Sequence, residues 1–298
     1  MTSVHDRGPL VSLGLPVFNG QAFLELALAS ILTQTHTHFE LIICDNASTD
    51  GTEEICRAHA ARDPRIRYHR SPDNRGLAWN FNRVFELSSG PYFKWVAHDD
   101  VCAPDFVRSC VEVLERIPSV VLCYPRAILI DGQGAHLEEC VDGCHLSSPR
   151  PSERFRGLFS NLRLSNPLFG VIRSSALRLE PLGSYVAADV VLLGELALRG
   201  GFHELPERLF YRRDHPQKAT RSHPSVDEQA ALYDPANVGK IHLMYWRLFF
   251  EHLASIGRVP MSHRERLLCY AYMAKTLRWK WRDLGTELWT AAPRLLRR

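Results

Sequence analysis

Tyr92-Phe93-Lys94-Trp95-Val96-Ala97-His98-Asp99-Asp100 is the stretch on which the fold turns. Its apolar run reads as a buried strand, and two adjacent carboxylates stand where that strand leaves the sheet. Pro104 opens the helix expected soon after. In open α/β sheets, ligands bind outside the carboxyl ends of the strands. Two carboxylates there repel each other unless a cation or a hydrogen-bonded ligand holds them. One reading puts one carboxylate on a divalent metal and the other on a ligand hydroxyl. The other is a solvated Asp-Asp turn that caps the next helix.

Upstream, strand and helix patterns alternate. Residues 10–15 form an apolar strand, 16–20 a loop, 22–32 a helix, 39–44 a strand and 45–51 a polar loop. A helix over 52–61, a short strand over 66–69 and a helix over 77–87 follow, with Gly90-Pro91 as the break. After the carboxylates come a helix over 105–116 and a strand over 120–124. This alternation predicts an α/β fold with a mostly parallel twisted sheet flanked by helices. Residues 127–141 then read as a hairpin about Asp131-Gly132-Gln133-Gly134. Beyond it we expect a helix over 155–162, strands over 168–172 and 208–212 and a helix over 190–198, with helices from Val226 onward.

The chain has 298 residues, 45% of them hydrophobic and 23% charged, as in an ordinary globular protein. A net charge of +3 is too small to argue for a nucleic-acid partner. Residues 1–9 lack the apolar core of a signal peptide, and no apolar run is long enough to span a bilayer. Eight scattered cysteines suit reduced thiols. Together these predict a cytoplasmic protein. His136, Cys140, Cys144 and His145 do not have the spacing of a usual zinc site, and a surface loop is the expectation there. The positive charge gathers in the tail: Lys275, Arg278, Lys280, Arg282, Arg294, Arg297 and Arg298, against Asp283 and Glu287. With Trp279, Trp281 and Trp289 among them, this tail reads either as a basic helix on the inner face of a membrane or as a packed helix with snorkelling arginines.

Four loops carry the chemistry. They are Pro16-Val17-Phe18-Asn19-Gly20, Asp45 to Gly51, Asn74-Arg75-Gly76 with Asn80, and Ala97 to Asp100. Successive parallel strands would bring all four to one sheet edge. Asp45 and Asp99 can accept hydrogen bonds from a ribose or a base, and Asp100 offers hard oxygen to Mg²⁺ or Mn²⁺. Such a metal would neutralise a departing diphosphate.

"VSLGLPVFNG", "LIICDNASTDGT", "NRGLAWNFN" and "VAHDD", in that order and spacing, resemble the family 2 glycosyltransferases with their GT-A fold. The resemblance covers roughly residues 10–220. It implies inverting transfer of a sugar from a nucleotide-sugar donor, UDP-sugars favoured, to the hydroxyl of a glycan or lipid-linked acceptor. It places the nucleotide against Pro16, Phe18, Asn19, Asp45, Asn74 and Asp99, and the metal on Asp100. Ala97 departs from the family's pattern, in which many members carry Asp. The stretch "GSYVAADVVLLGELALRGG" implies Asp189 as the catalytic base, with Ala188 where Glu is common; its alternative role is a helix cap. "LFYRRDHPQKAT" implies His215 over the metal and diphosphate, with Arg212 or Arg213 near the phosphates. Phe169 and Gly170 are expected to line the acceptor side and to approach the sugar, and His98 to shape the loop. The expected division is a catalytic domain over 1–220 (nucleotide part about 10–125, acceptor part about 126–220) and a helical extension over 221–298.

A nucleotidyltransferase would want a basic phosphate loop after the first strand, which Pro16–Gly20 lacks. A non-catalytic nucleotide-sugar binder is the other alternative, with only Ala97 in its favour. No glycine-rich fingerprint supports a dinucleotide enzyme, and adjacent carboxylates cannot flank a glycosidic bond from both sides as a hydrolase requires.

Overall fold

The computed structural model describes residues 8–140, 142–177 and 181–295, without the side chains of 219, 220 and 293–295. The polar residues 1–7, Val141 at the hairpin's end, the Arg294 side chain, Arg297 and Arg298 lie outside this description.

The first half alternates as expected: β1 (Val11–Val17), α1 (Leu24–Leu32), β2 (Phe39–Asp45), α2 (Thr52–Arg62), β3 (Ile66–Arg70), α3 (Leu77–Glu86) and β4 (Tyr92–Trp95). The short β5 (Val101–Cys102) precedes α4 (Phe106–Arg116), β6 (Val120–Ile130), β7 (His136–Cys140) and α5 (Pro151–Asn161). Then come β8 (Val171–Arg173), α6 (Ser174–Leu177), α7 (Ala188–Arg199) and β9 (Gly201–Arg213). Helices α8 (Ala219–Ser222), α9 (Val226–Tyr233), α10 (Met244–Arg258), α11 (His263–Trp279) and α12 (Trp281–Leu295) complete the described chain.

The nine strands form one sheet, in the order β3-β2-β1-β4-β8-β6-β9-β5, with β7 beside β6. Strands β1 to β4 are mutually parallel, and β6 runs parallel to β9 along its length. The chain leaves β1 toward β2 and β3, then returns to β1's other side as β4. The carboxyl ends of β1 and β4 therefore form a topological switch point, the crevice where open α/β sheets bind ligands.

Pro16 makes this crevice. It lies inside β1 rather than in the loop expected from Pro16 onward. Val96 donates its N–H to the Gly14 carbonyl at 2.8 Å. In a parallel ladder the next bond would come from the N–H of residue 16, which proline lacks. The β4 ladder ends at Trp95, earlier than the apolar run suggested, and residues 97–100 leave the sheet.

Other boundaries shift for local reasons. Residues 168–172 are not one strand: a 3₁₀ turn over Asn166–Phe169 carries Pro167 near its start, and β8 follows it. Strands β6 and β9 are much longer than their apolar runs because each pairs with the other across Pro125 and Pro206. The register shifts at Pro125/Arg126 and Arg126/Ala127 accommodate them.

Leu28, Ile31, Cys56, Phe106 and Val107 pack on one face of the sheet, and Val84, Leu192, Leu193 and Leu196 on the other. A third cluster, Phe155, Leu198, Ile256, Cys269 and Met273, ties α10 and α11 to the sheet's helical cover. Glu265 at the start of α11 reinforces that tie by accepting hydrogen bonds from the Ser152 N–H and hydroxyl and from Arg150. All eight cysteines are buried free thiols. Cys144 sits in the core rather than in a surface loop, and His145 packs edge-on against His203 at 4.8 Å.

Candidate active site

The first two loops are stitched together by backbone-directed bonds. Asn19 adopts a left-handed φ of 51°. Its N–H donates to Ser48 Oγ at 2.9 Å, and its Oδ1 accepts the Thr49 N–H at 2.8 Å. Gly20 donates to Thr52 Oγ1, and a Cβ there would meet the His98 ring at 2.9 Å. Phe18, by contrast, is exposed.

Asp45 is buried at the end of β2. Its Oδ1 accepts the Ser48 N–H at 2.8 Å; its Oδ2 accepts the Tyr68 hydroxyl at 2.9 Å and the Arg70 guanidinium. A carboxylate offers about four acceptor positions. Three are spent on the protein, so one stays open to a ligand. A cleft of about 710 Å³ opens beside it, lined by Tyr68, Arg70, Arg75 and Trp79. The Arg75 guanidinium stacks over Trp79 at 4.4 Å.

Asn74 organises the third loop. Its Oδ1 accepts from Asn46 Nδ2 at 2.8 Å and from the Gly76 N–H at 3.0 Å, while Asn46 Oδ1 accepts the Arg75 N–H. Gly76 needs its freedom, with φ at +86° and an added Cβ only 2.5 Å from the Tyr233 carbonyl oxygen. Asn80 Nδ2 bridges the carbonyls of Val17 and Cys44, fastening the ends of β1 and β2.

The fourth loop carries the carboxylate pair. Asp99 Oδ2 lies 3.0 Å from His215 Nε2. Asp100 is buried, and its Oδ1 accepts the Arg213 N–H at 2.8 Å. The pair is driven apart electrically. Burial raises both, but the His215 hydrogen bond and the charges of His98 and Lys218 hold Asp99 below the usual carboxylate range. Burial first, and then the charge on Asp99, push Asp100 up. The bland cap reading fails locally: Asp105, not the pair, occupies the α4 N-cap position, and without a capping bond.

Arg212 and Arg213 separate in role. The Arg213 guanidinium is spent on the backbone carbonyls of Asp99, Asp131 and Gly132 and stacks over Phe23 at 4.8 Å. Through Nε and Nη1 it clamps the carboxylate loop to the hairpin turn. Arg212 reaches Asn166 Oδ1 at 2.7 Å, and the Leu164 carbonyl. Lys218 donates to the Arg213 carbonyl at 2.7 Å. Both cations act on Asp100.

Phe169 and Gly170 are set from below. The buried Lys94 donates to the Phe169 carbonyl, its ammonium 4.0 Å from the Phe106 ring centre. Gly170 is needed for packing, because a Cβ there would lie 2.5 Å from the Cys123 carbonyl oxygen.

Asp189 stands in the first turn of α7, half-buried, and its carboxylate makes no hydrogen bond or ion pair among the described residues. The cap position belongs to Ala187, at φ 61°. Burial and then the charge of Asp189 raise the Tyr233 hydroxyl. A cavity of about 430 Å³ lies alongside, lined by Ala188, Val191, Tyr185, Tyr233 and Arg247.

Asp99, Asp100 and His215 can be asked whether they suit a divalent cation. Among the described residues no group of three acidic, histidine or cysteine side chains could hold a metal ion by itself. Mg²⁺ and Mn²⁺ sites at phosphates, however, use one or two carboxylates and take their other oxygens from substrate and water. Among the described residues, Asp99 and Asp100 each keep one carboxylate oxygen without a hydrogen bond, and His215 Nδ1 is buried with no partner. This donor set fits a cation that arrives with a diphosphate.

Reading the sequence missed Arg70, Lys94, Asn46 and Lys218. Arg70 had a signal, a basic residue that ends the strand following the Asp45 strand. Lys94 had one too, a lysine inside an apolar run.

The architecture is the GT-A fold. It matches Staphylococcus aureus TarS residues 1–349, solved with UDP-GlcNAc, at TM-score 0.65 and 14% identity over 90% of this chain and 72% of that one. A mannosyltransferase from Pyrobaculum calidifontis, solved with GDP-Man and Mn²⁺, matches at TM-score 0.54 and 18% identity over 97% of this chain and 87% of that one. The sequence profile of glycosyl transferase family 2 matches residues 12–178, and the chain belongs to that family. Among curated relatives, the chondroitin synthase of Escherichia coli is 34% identical over 43% of this chain and 18% of its own length. The putative teichuronic acid biosynthesis glycosyltransferase TuaG of Bacillus subtilis is 35% identical over 36% of this chain and 43% of its own. The matches span less than half the length of these relatives.

Proposed function

We propose that this protein is an inverting glycosyltransferase that moves a sugar from a nucleotide-sugar donor to a hydroxyl of a glycan or lipid-linked acceptor. The observation that carries the reading is the convergence of Asp45, Asp99 and Asp100 on one switch point, within a family 2 sequence match. The nucleoside sits against Pro16, Phe18, Asn19 and the open acceptor position of Asp45. Asn74 holds the third loop, and Asp99 takes the ribose. UDP is the favoured nucleotide, as in TarS, with GDP the alternative from the mannosyltransferase.

Asp100, with Asp99 beside it, would hold Mg²⁺ or Mn²⁺. Bound there, the cation supplies charge to the departing diphosphate. Arg212 and Lys218 add positive charge on the same side. Asp189 accepts the proton of the attacking hydroxyl. The acceptor oxygen bonds to the anomeric carbon, the sugar–phosphate bond breaks, and the nucleoside diphosphate leaves with that electron pair. Asp189's carboxylate, unspent on the protein, supports this assignment. The enzyme would work in the cytoplasm, in peripheral contact with the membrane that carries lipid-linked acceptors.

A thermal-shift panel of UDP, GDP, dTDP and CDP sugars, with and without Mn²⁺, tests the reading. One donor should stabilise the protein, more strongly with metal. Asp189→Asn should keep that response and lose transfer by about 10²–10⁴-fold. No response to any donor would overturn the proposal.

A further inference from the structure

Helices α11 and α12 each carry a packed apolar face and an exposed face on which apolar and basic side chains mix. On the packed face, Cys269 and Met273 of α11 and Leu284 of α12 are buried. Trp246 of α10 donates its indole N–H to the Leu284 carbonyl, and Glu287 accepts the N–H groups of Tyr245 and Trp246. The other face is bare. On α11 it runs through Leu267, 68% exposed, then Leu268, Ala271 and Ala274 to Trp279, 62% exposed. On α12 it holds Trp281, 63% exposed, Leu288, and Trp289, 82% exposed. An amphipathic helix needs one apolar face to fold onto its protein. A second, tryptophan-bearing face has no use in that packing.

Lysine and arginine are interspersed on this face. Lys275 stands 4.5 Å over the Trp279 ring and Arg282 lies 5.5 Å from the Trp281 ring. Arg278 and Lys280 are exposed beside them, and Lys280 pairs with Asp283. Among the described residues no helix is long and apolar enough to cross a membrane. Tryptophan at the headgroup level, leucine below it and basic side chains above it are the components of an interfacial helix. The opposite sign of charge belongs to an anionic bilayer surface.

We infer that the outer face of α11 and α12 docks this protein on an anionic lipid bilayer, with Trp279, Trp281 and Trp289 at the headgroup level. The inference gives the peripheral contact its residues and its lipid. It does not depend on which residue is the catalytic base.

Vesicle sedimentation of the full chain tests it, with phosphatidylcholine alone and with a 3:1 mixture of phosphatidylcholine and phosphatidylglycerol. Binding should favour the anionic vesicles by about tenfold or more and weaken in high salt. Trp281→Ser with Trp289→Ser, and Lys275→Glu with Arg278→Glu, should each cut it by about tenfold while leaving the donor-induced thermal shift unchanged. That unchanged shift separates failure of docking from failure of the catalytic reading. Binding to neither vesicle, or equal binding by all variants, overturns the inference. A dimer in light scattering that the tryptophan variant dissolves also overturns it, because the face is then an interface between copies.

Discussion

His215 faces Asp99 with its Nε2 at 3.0 Å from Oδ2, while its Nδ1 is buried and has no partner among the described residues. The ring also packs against Phe23 at 4.6 Å. A buried polar atom without a partner costs about 1–3 kcal/mol. The site thus holds an unmet hydrogen-bonding need beside its carboxylates, and a ligand would meet it. His215→Gln retains a donor for Asp99 and loses the second ring nitrogen; His215→Ala loses both. Both variants are expected to bind donor about tenfold more weakly in calorimetry with Mn²⁺. Only the alanine variant should also lose about 1–2 kcal/mol of stability. Full donor affinity in the glutamine variant would reduce His215 to a positioning residue for Asp99.

Arg70 is the second test. Asp45 is fully buried, and among the described residues Arg70 is its one cationic partner, 30% exposed. Truncating one partner of a buried pair leaves the other charge uncompensated. Arg70→Ala is expected to cost about 2–4 kcal/mol, and Tyr68→Phe only about 1 kcal/mol. Urea denaturation measures both. Equal costs would show that Asp45 reaches water without Arg70.

The order of the first four strands, the four loops and the helix that begins near Asp189 were legible because each is local. An apolar run between polar turns sets a strand, and Pro, Gly, Asn and Asp set the turns. What stayed hidden is non-local. The roles of Arg212 and Arg213 cannot be told apart in sequence, since each is one arginine at the end of a strand. Only the return of β9 past the carboxylate loop puts the Arg213 guanidinium on three carbonyls and the Arg212 guanidinium on Asn166. Gly170 has the same lesson: its closest neighbour, the Cys123 carbonyl, comes from a strand 47 positions away, on β6. The length of β9 was hidden as well, because its pairing with β6 overrides a polar, proline-bearing local sequence.

Lys94 links stability to function with opposite signs. It is fully buried in β4, and burial lowers its pKa. A lysine whose folded pKa is lowered adds stability above its unfolded pKa of about 10.5 and loses it as pH falls toward the folded value. Below pH 10.5 the burial of this amine therefore weighs against folding. Lys94→Met, which fills similar space, is expected to match or exceed the parent's stability at pH 7 by up to about 2 kcal/mol. The gap should close above pH 10.5. Transfer should nonetheless slow, because the Phe169 carbonyl loses the donor that sets its turn. A methionine variant markedly less stable at pH 7 would mean that the bond to Phe169 outweighs the burial of the charge.

His252 supplies the acid-side prediction. It sits on α10 between the rings of Phe155 and Phe159, at 6.0 and 4.7 Å, with Nδ1 unpartnered and buried. Gly194 of α7 makes room for it, since a Cβ there would approach Nδ1 to 3.2 Å. Burial lowers its pKa to about 4. The folded protein thus refuses a proton that the unfolded chain accepts near pH 6.5. Stability is present above pH 6.5 and drains away as pH falls toward 4, by about 3 kcal/mol for this residue. Carboxylates titrate in the same window, so the parent curve alone decides nothing. His252→Leu keeps an apolar side chain among the same rings and cannot be protonated. The difference between the two proteins in urea denaturation is expected to shift by about 3 kcal/mol in favour of leucine between pH 7 and pH 4. Parallel curves would mean that water reaches the imidazole, and that the joint between α10 and the sheet's helical cover opens in acid before the rest of the molecule unfolds.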